Sequence, residues 1–233
     1  MIIKILLGLS LIVAGVHASE APINLCPELK VAGGEWLKYE YIERYQGSAT
    51  GKGIELLKRF DESTQVKLIV MSDVPFARQL KQLEEGQLDL MIGIFNVAER
   101  RKSFYLSKPY YQEPLHVYAL LGKFEKEIQL QDLNGLVVGY RRASSYGDAL
   151  DKYFAVNNIA RVEVKDSPSV AKLLLKGRID YFIGTPTVKN EFLDISIDIE
   201  QYNPISIQET SFAFSKKSKC DVWLPVLNEI IDQ

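Results

Sequence analysis

Residues 86–111, GQLDLMIGIFNVAERRKSFYLSKPYY, carry the decision about the fold. Gly86 ends a helix, and Leu88 to Phe95 is a continuous apolar run of the kind that forms a buried strand. Glu99-Arg100-Arg101-Lys102 reads as a basic turn, and Ser107-Lys-Pro-Tyr-Tyr111 leads into a further strand. In an open α/β sheet, small ligands bind beyond the carboxyl ends of the strands. Phe95 and Asn96 lie at such an end, with two arginines following at once. A guanidinium fork donates two parallel hydrogen bonds to a carboxylate. The stretch therefore reads as a site for a small carboxylate ligand, with a solvated basic turn as the plain alternative.

Upstream, Leu29 to Ala32 and Val66 to Met71 read as strands, and Pro75 opens a helix running through Glu85. Gly47-Ser-Ala-Thr-Gly-Lys-Gly53 resembles a phosphate loop, but its glycine spacing is one short and Lys52 precedes a glycine. A phosphate loop needs Ser or Thr there for the metal, so the segment reads as a turn entering a helix over Ile54 to Phe60. Downstream the same grammar returns. Leu136 to Tyr140 and Val162 to Val164 read as strands, Asp148 to Val156 as a helix, and Ser167-Pro168 as the start of another. Gly177-Arg-Ile-Asp180-Tyr-Phe-Ile-Gly184 repeats the spacing of Gly86-Gln-Leu-Asp89-Leu-Met-Ile-Gly93 at an offset of 91 residues. A repeat of that length predicts two similar α/β lobes rather than a solenoid, whose periods run roughly 20 to 50 residues. A late strand, Ile205 to Phe214, and a last helix bearing Trp223, Leu227, Ile230 and Ile231 follow. Two crossover segments, near Gln112 to Leu115 and Asn203 to Gln208, would join the lobes as a hinge around a cleft.

Residues 1–18 read as a cleaved secretory signal, with Lys4 as its basic start, Ile5 to Val16 as its apolar run and Val16-His17-Ala18 before Ser19 as the cleavage site. That run is short of the roughly 20 residues of a membrane span, so the mature chain is expected to be soluble and periplasmic. The formal net charge of -2 argues against nucleic acid as a partner. His116 is the one histidine left after the signal, which disfavours metal sites and serine–histidine catalysis; a structural role in its apolar strand is expected. Export permits a disulfide between Cys26 and Cys220, stapling the two ends of the mature chain, with two separate thiols as the alternative.

In order and spacing these segments resemble the family 3 extracellular solute-binding proteins, the polar amino-acid receptors of ABC importers. The resemblance runs through Trp36-Leu-Lys-Tyr39, Gly51-Lys-Gly-Ile-Glu-Leu-Leu57, both Gly-x-x-Asp units, Val97-Ala-Glu-Arg100 with Leu106-Ser-Lys-Pro-Tyr110, Asp132-Leu-Asn-Gly-Leu-Val-Val-Gly139 and Ala143-Ser-Ser145. It implies an α/β, type II two-lobed periplasmic binding protein fold with a two-strand hinge. Lobe 1 would comprise 19–113 and 206–233, and lobe 2 114–205. It also implies a non-enzymatic, monomeric receptor, without cofactor or metal, that delivers a small amino-acid-like or carboxylate ligand to an ABC transporter permease. A cyclohexadienyl dehydratase-like enzyme and a free-standing sensory module are the alternatives on the same fold.

Carried over residue by residue, the resemblance makes Arg100 the clamp on the ligand carboxylate, with Arg101 as the other choice. Ser144 and Ser145, with the amides entering the next helix, would bind the same carboxylate from lobe 2. Trp36, Tyr39 and Phe95 would wall the pocket. Two positions depart from the family pattern. Val97 stands for a threonine, and Thr185 stands for the aspartate that meets the ligand's ammonium. A buried ammonium needs a carboxylate partner, so Thr185 predicts altered specificity, with Glu191 the nearest replacement in sequence.

Overall fold

The computed structural model describes residues 22–32, 49–71, 74–125, 127–164, 167–187 and 197–233. The signal segment, Trp36, Tyr39 and Glu191 lie outside them. A one-turn helix, α1 (Pro22–Leu25), leads into β1 (Glu28–Ala32), α2 (Ala49–Ser63), β2 (Lys67–Met71), α3 (Phe76–Glu85) and β3 (Leu90–Phe95). Then come α4 (Ala98–Ser103), β4 (Phe104–Leu106) and the long β5 (Tyr111–Leu120). The second half holds β6 (Val137–Arg141), α5 (Asp148–Val156), β7 (Ala160–Val164), α6 (Ser167–Leu175) and β8 (Tyr181–Gly184). The 17-residue β9 (Ile199–Ser215) precedes a 3-10 turn (Lys219–Trp223) and a last helix (Leu224–Ile231).

The strands lie in the order β2-β1-β3-β9-β5-β8-β6-β7, with β4 also on β9. β1 is parallel to β2 and β3, and β6 is parallel to β7 and β8. Between these two parallel groups, β5 and β9 pair antiparallel from Tyr111–Thr210 to Leu120–Ile199. Each parallel group with its helices forms a lobe, and two long strands run through both. This is a type II two-lobed α/β architecture.

The 91-residue repeat has one structural cause in both lobes. Gly86 (φ 77°) and Gly177 (φ 60°) adopt the left-handed conformation that closes a helix. The next amides reach back alike, Gln87 N–H to Gln82 O and Arg178 N–H to Leu173 O. Three residues on, Asp89 N–H donates to Lys30 O at 3.0 Å while its Oδ2 accepts from Lys30 N–H at 2.8 Å. Asp180 repeats this pair on Val137, at 2.8 Å each way. The aspartate thus fixes the register of each motif strand on its parallel neighbour, Leu90 opposite Val31 and Tyr181 opposite Val138.

Three elements differ from the sequence reading. The helix expected from Ile54 begins at Ala49, because Gly53 serves packing rather than a turn. A Cβ there would lie 2.7 Å from the Tyr110 hydroxyl. The basic turn is helical, as α4. Glu99 sits favourably in its first turn, and Lys216 Nζ donates to the Arg101 and Lys102 carbonyls at its end. The late strand starts at Ile199 instead of Ile205, because Pro204 falls at a register irregularity opposite His116 and interrupts no regular ladder there.

One apolar cluster gathers Leu29, Phe60, Phe212 and Phe214 with Trp223 and Leu227 of the chain's end. Phe60 and Trp223 meet edge to face at 5.5 Å, and Trp223 Nε1–H donates to Cys26 O at 3.0 Å. Cys26 and Cys220 are joined by a disulfide inside this cluster. A second cluster, with Tyr181, Phe154 and Leu150, fills lobe 2. His116 lies on β5 with Nδ1 2.7 Å from the Tyr202 carbonyl oxygen. Among the described residues no helix is long and apolar enough to cross a membrane, and no group of acidic, histidine or cysteine side chains is arranged to hold a metal.

Candidate ligand-binding cleft

The carboxyl ends of β3, β6 and β8 open onto one cleft of about 140 Å³ lined from both lobes. Phe95 stands at the end of β3, Arg141 at the end of β6, and Gly184 and Thr185 at the end of β8. α4 begins just after β3 and supplies Arg100, which is 7 % exposed. Its guanidinium lies over the Phe76 ring at 5.4 Å to the centroid, and Nη2–H donates to Ala143 O at 3.2 Å. Ala143 holds φ at 58°, the left-handed region that disfavours a side chain, and its carbonyl lies across the cleft from α4. Burial pushes the Arg100 guanidinium down, to about 10, while Glu99 and Asp151 pull it back up. It remains a cation at neutral pH, poorly solvated and facing the cleft.

Arg101 has a different environment. Nη1–H donates to the Asn96 carbonyl at 2.7 Å and to Asn96 Oδ1 at 2.8 Å, and Nη2 lies 3.5 Å from Asp148 Oδ2. It is exposed and absent from the cleft lining. Successive helical residues point about 100° apart, so helical backbone separates the fates of the two arginines. Asp148, at the start of α5, also accepts the Ala98 N–H with both carboxylate oxygens, each at 3.1 Å. Val97, the cap residue of α4, makes no side-chain cap. A carboxylate from the other half of the chain serves in its place.

Ser144 and Ser145 both line the cleft. Ser145 Oγ–H donates to Asp151 Oδ2 at 2.5 Å and its oxygen accepts from Gly147 N–H at 3.1 Å. The Tyr146 amide also bonds to Asp151, at 3.2 and 3.3 Å. Thus Asp151 already takes the Ser145 hydroxyl and the Tyr146 amide entering α5. Thr185 lines the cleft from the end of the neighbouring β8, its Oγ1 2.8 Å from Thr187 Oγ1 and its carbonyl accepting from Tyr118 Oη–H at 2.8 Å. Burial pushes the phenol of Tyr146, another lining residue, far up, so it stays neutral.

Among the lining residues that the sequence reading missed are Phe76, Glu113, Arg141 and Thr187. Arg141 carried a usable signal, since it ends a strand whose carboxyl end faces ligands. Phe76 directly follows Pro75 at the start of a helix, where an apolar residue reads as core-facing. Glu113, 2 % exposed on β5, gave no signal, because a lone glutamate in a crossover segment reads as surface.

Residues 29–217 match the family model described as bacterial extracellular solute-binding proteins, family 3. The chain belongs to this family. A curated relative, the amino-acid-binding protein AabA of Dichelobacter nodosus, is 22% identical over 161 residues, which are 69% of this chain and 62% of that protein. The chain therefore spans under two thirds of that relative's length. Among solved structures, an ancestral arginine-binding protein bound to arginine superposes with a TM-score of 0.69 at 18% identity, covering 89% of this chain and 92% of that one. The GluR0 ligand-binding core of Nostoc punctiforme, in complex with L-glutamate, gives 0.65 at 18% identity, covering 87% and 91%. At these identities the solved structures establish the shared fold. The family is one of extracellular binding proteins, and this member keeps its two-lobed architecture.

Proposed function

We propose that this family 3 protein is exported by cleavage after Ala18 and closes its cleft, as a monomer, over a small amino-acid-like or carboxylate ligand for delivery to an ABC importer. Lobe 1 comprises residues 19–113 and 206–233, lobe 2 residues 114–205, and β5 and β9 flex between them. One observation carries the reading: Arg100, a buried cation, faces a cleft walled by both lobes. Water has been withdrawn from its charge by the fold, so a carboxylate arriving there gains more than it would at a solvated arginine. Ser144 and the Ser145 loop meet the same carboxylate from lobe 2, and Phe95 walls the pocket. Arg101 braces α4 rather than touching the ligand.

A thermal-shift screen of the chain from Ser19 tests the reading, using amino acids, their keto and hydroxy analogues, and small dicarboxylates. A ligand that binds only the folded form stabilises it by linkage, by about 2.7 kcal/mol at a hundredfold excess over Kd, and so raises the melting temperature. At least one of these solutes is expected to shift the protein and to lose its effect in Arg100→Ala. A solute that shifts Arg100→Ala as strongly as the parent would remove Arg100 from the site. Retention of the ligand-loaded protein, and not the free form, on membranes carrying its permease would support delivery.

A further inference from the structure

Ser145 and Asp151 form a polar pair at the cleft, and the direction of the bond between them decides what that wall can offer a ligand. Ser145 lies in the loop between β6 and α5 and lines the cleft, while Asp151 belongs to the first turn of α5. Ser145 Oγ–H donates to Asp151 Oδ2 at 2.5 Å, and the same oxygen accepts the Gly147 N–H at 3.1 Å. A serine hydroxyl has one proton and two lone pairs. The proton and one lone pair are therefore committed within lobe 2, and the lone pair that is left can only accept. The family resemblance cast Ser145 as a donor to the ligand carboxylate. Asp151 turns it the other way, into an acceptor for a ligand N–H.

Asp151 also supplies a charge. Besides the Ser145 hydroxyl its carboxylate takes the Tyr146 amide, at 3.2 and 3.3 Å, and both donors are neutral. The negative charge reaches Arg100, whose guanidinium it helps to keep protonated. A cation seated on Ser145 Oγ would lie two hydrogen bonds from Asp151, roughly 5 Å, within the roughly 4–6 Å over which an opposite charge favours a charged group. Thr185, at the end of β8, brings only a hydroxyl, and that is engaged with Thr187.

We infer that Ser145 and Asp151 together receive the ammonium of an α-amino acid, Ser145 as the acceptor and Asp151 as the specificity-determining charge behind it. Arg100 takes the carboxylate of the same ligand, and Ser144 stays with that carboxylate. The two groups are neighbours on the ligand, and their receptors are neighbours in the cleft. Arg100 Nη2–H reaches the Ala143 carbonyl at 3.2 Å, two residues before Ser145. A 2-oxo acid presents a carbonyl oxygen to Ser145, so acceptor faces acceptor. It also brings an anion beside the guanidinium on which Asp151 already acts, without the ammonium that offsets it. A site of fixed polarity discriminates in this way, because the wrong ligand leaves desolvated groups unpaired. The inference rests on the solute-binding reading of the same cleft and says how that cleft selects its ligand.

Titration calorimetry on the chain from Ser19 tests it with L-alanine, L-leucine, L-phenylalanine, L-arginine and L-glutamate, each beside its 2-oxo analogue. Within a pair the side chain is common, so the ratio of the two dissociation constants reports on the ammonium. The parent is expected to bind at least one of the amino acids and to prefer it over its analogue by about tenfold or more. Asp151→Asn keeps an oxygen for the Tyr146 amide and removes the charge. It should bring that preference below about threefold while the analogue binds as before or more tightly. Ser145→Ala should narrow the ratio likewise, and it carries the test if Asp151→Asn does not fold. Equal losses of both members of a pair in the folded variants would make the two residues structural and overturn the inference. So would a preference that survives in Asp151→Asn, or an ammonium-selective loss in Glu191→Gln in its place. A parent that favours the 2-oxo acids overturns the inference and leaves the solute-binding reading standing. Failure of all ten solutes overturns it as well, and the wider screen then decides the reading beneath it.

Discussion

Arg100 is maintained at a cost to the fold. Its guanidinium is desolvated, and the compensation it finds is one backbone carbonyl, the Phe76 ring and the more distant charges of Glu99 and Asp151. Replacing even a buried ion pair by apolar side chains of similar volume is often neutral or stabilising by about 1–4 kcal/mol, and Arg100 lacks the close carboxylate of such a pair among the described residues. Arg100→Met is therefore expected to melt no lower than the parent in the absence of ligand, and up to several degrees higher, while ligand-induced stabilisation disappears. Differential scanning calorimetry with and without ligand reads both effects. A fall of more than about 5 °C in the ligand-free protein, or roughly 1–2 kcal/mol for a chain of this size, would mean that Arg100 is held for the fold. The choice between Arg100 and Arg101 was only half legible in sequence. Spacing to Ser107-Lys-Pro-Tyr110 favoured Arg100, but two adjacent arginines have the same chemistry until the backbone is known to be helical. The Ser145 hydroxyl was less legible still, since its bond to Asp151 depends on how the loop folds back onto α5.

At the scale of elements, α4 is a six-residue helix whose cap comes from elsewhere. Val97 cannot accept the Ala98 N–H, and Asp148 does so across the cleft while lying near Arg101. The departure at Val97 was visible in the sequence as a lost hydroxyl. Its replacement was not, because Asp148 lies 50 residues away and also reads as an ordinary acidic start to α5. The contact joins the two sides of the cleft, so under the proposed closure it is expected to favour the closed arrangement in addition to capping the helix. A cap is worth about 1 kcal/mol. Asp148→Ala is thus expected to weaken ligand binding about fivefold, and small-angle scattering of the ligand-free variant should show a larger radius of gyration than the parent. Unchanged affinity with a lowered melting temperature would restrict Asp148 to the helix starts. The short aspartate contacts of the repeat were the opposite case. Asp89 and Asp180 also bond backbone far away in sequence, on Lys30 and Val137, but each sits in a unit that recurs at fixed spacing, so the unit could be read as a repeat without a structure.

For the whole molecule, two lobes could be read because the duplicated unit carries its own closing glycine and strand-fixing aspartate. The extent of the connecting strands could not, since Pro204 reads as a breaker until its pairing partner bends to accommodate it. The disulfide falls between these cases: the expected export and the cysteine count permitted it, and three-dimensional proximity decided it. Cys26 and Cys220 are separated by 194 residues, so the bridge restricts most of the unfolded chain. Chain entropy alone gives about 5 kcal/mol for a loop of that length, and measured bridges usually deliver about 2–4. None of the residues lining the cleft belongs to the buried apolar cluster that contains the bridge. Stability and binding should therefore separate. Replacing both cysteines by serine is expected to lower the melting temperature by roughly 5–15 °C while changing Kd at 20 °C by less than about twofold, a difference under 0.5 kcal/mol. Thermal melts and calorimetry on the same preparation measure the two quantities. If affinity falls along with stability, the closed cleft depends on how firmly the chain's two ends are held together, and the bridge then acts on the binding equilibrium through lobe 1 as a whole.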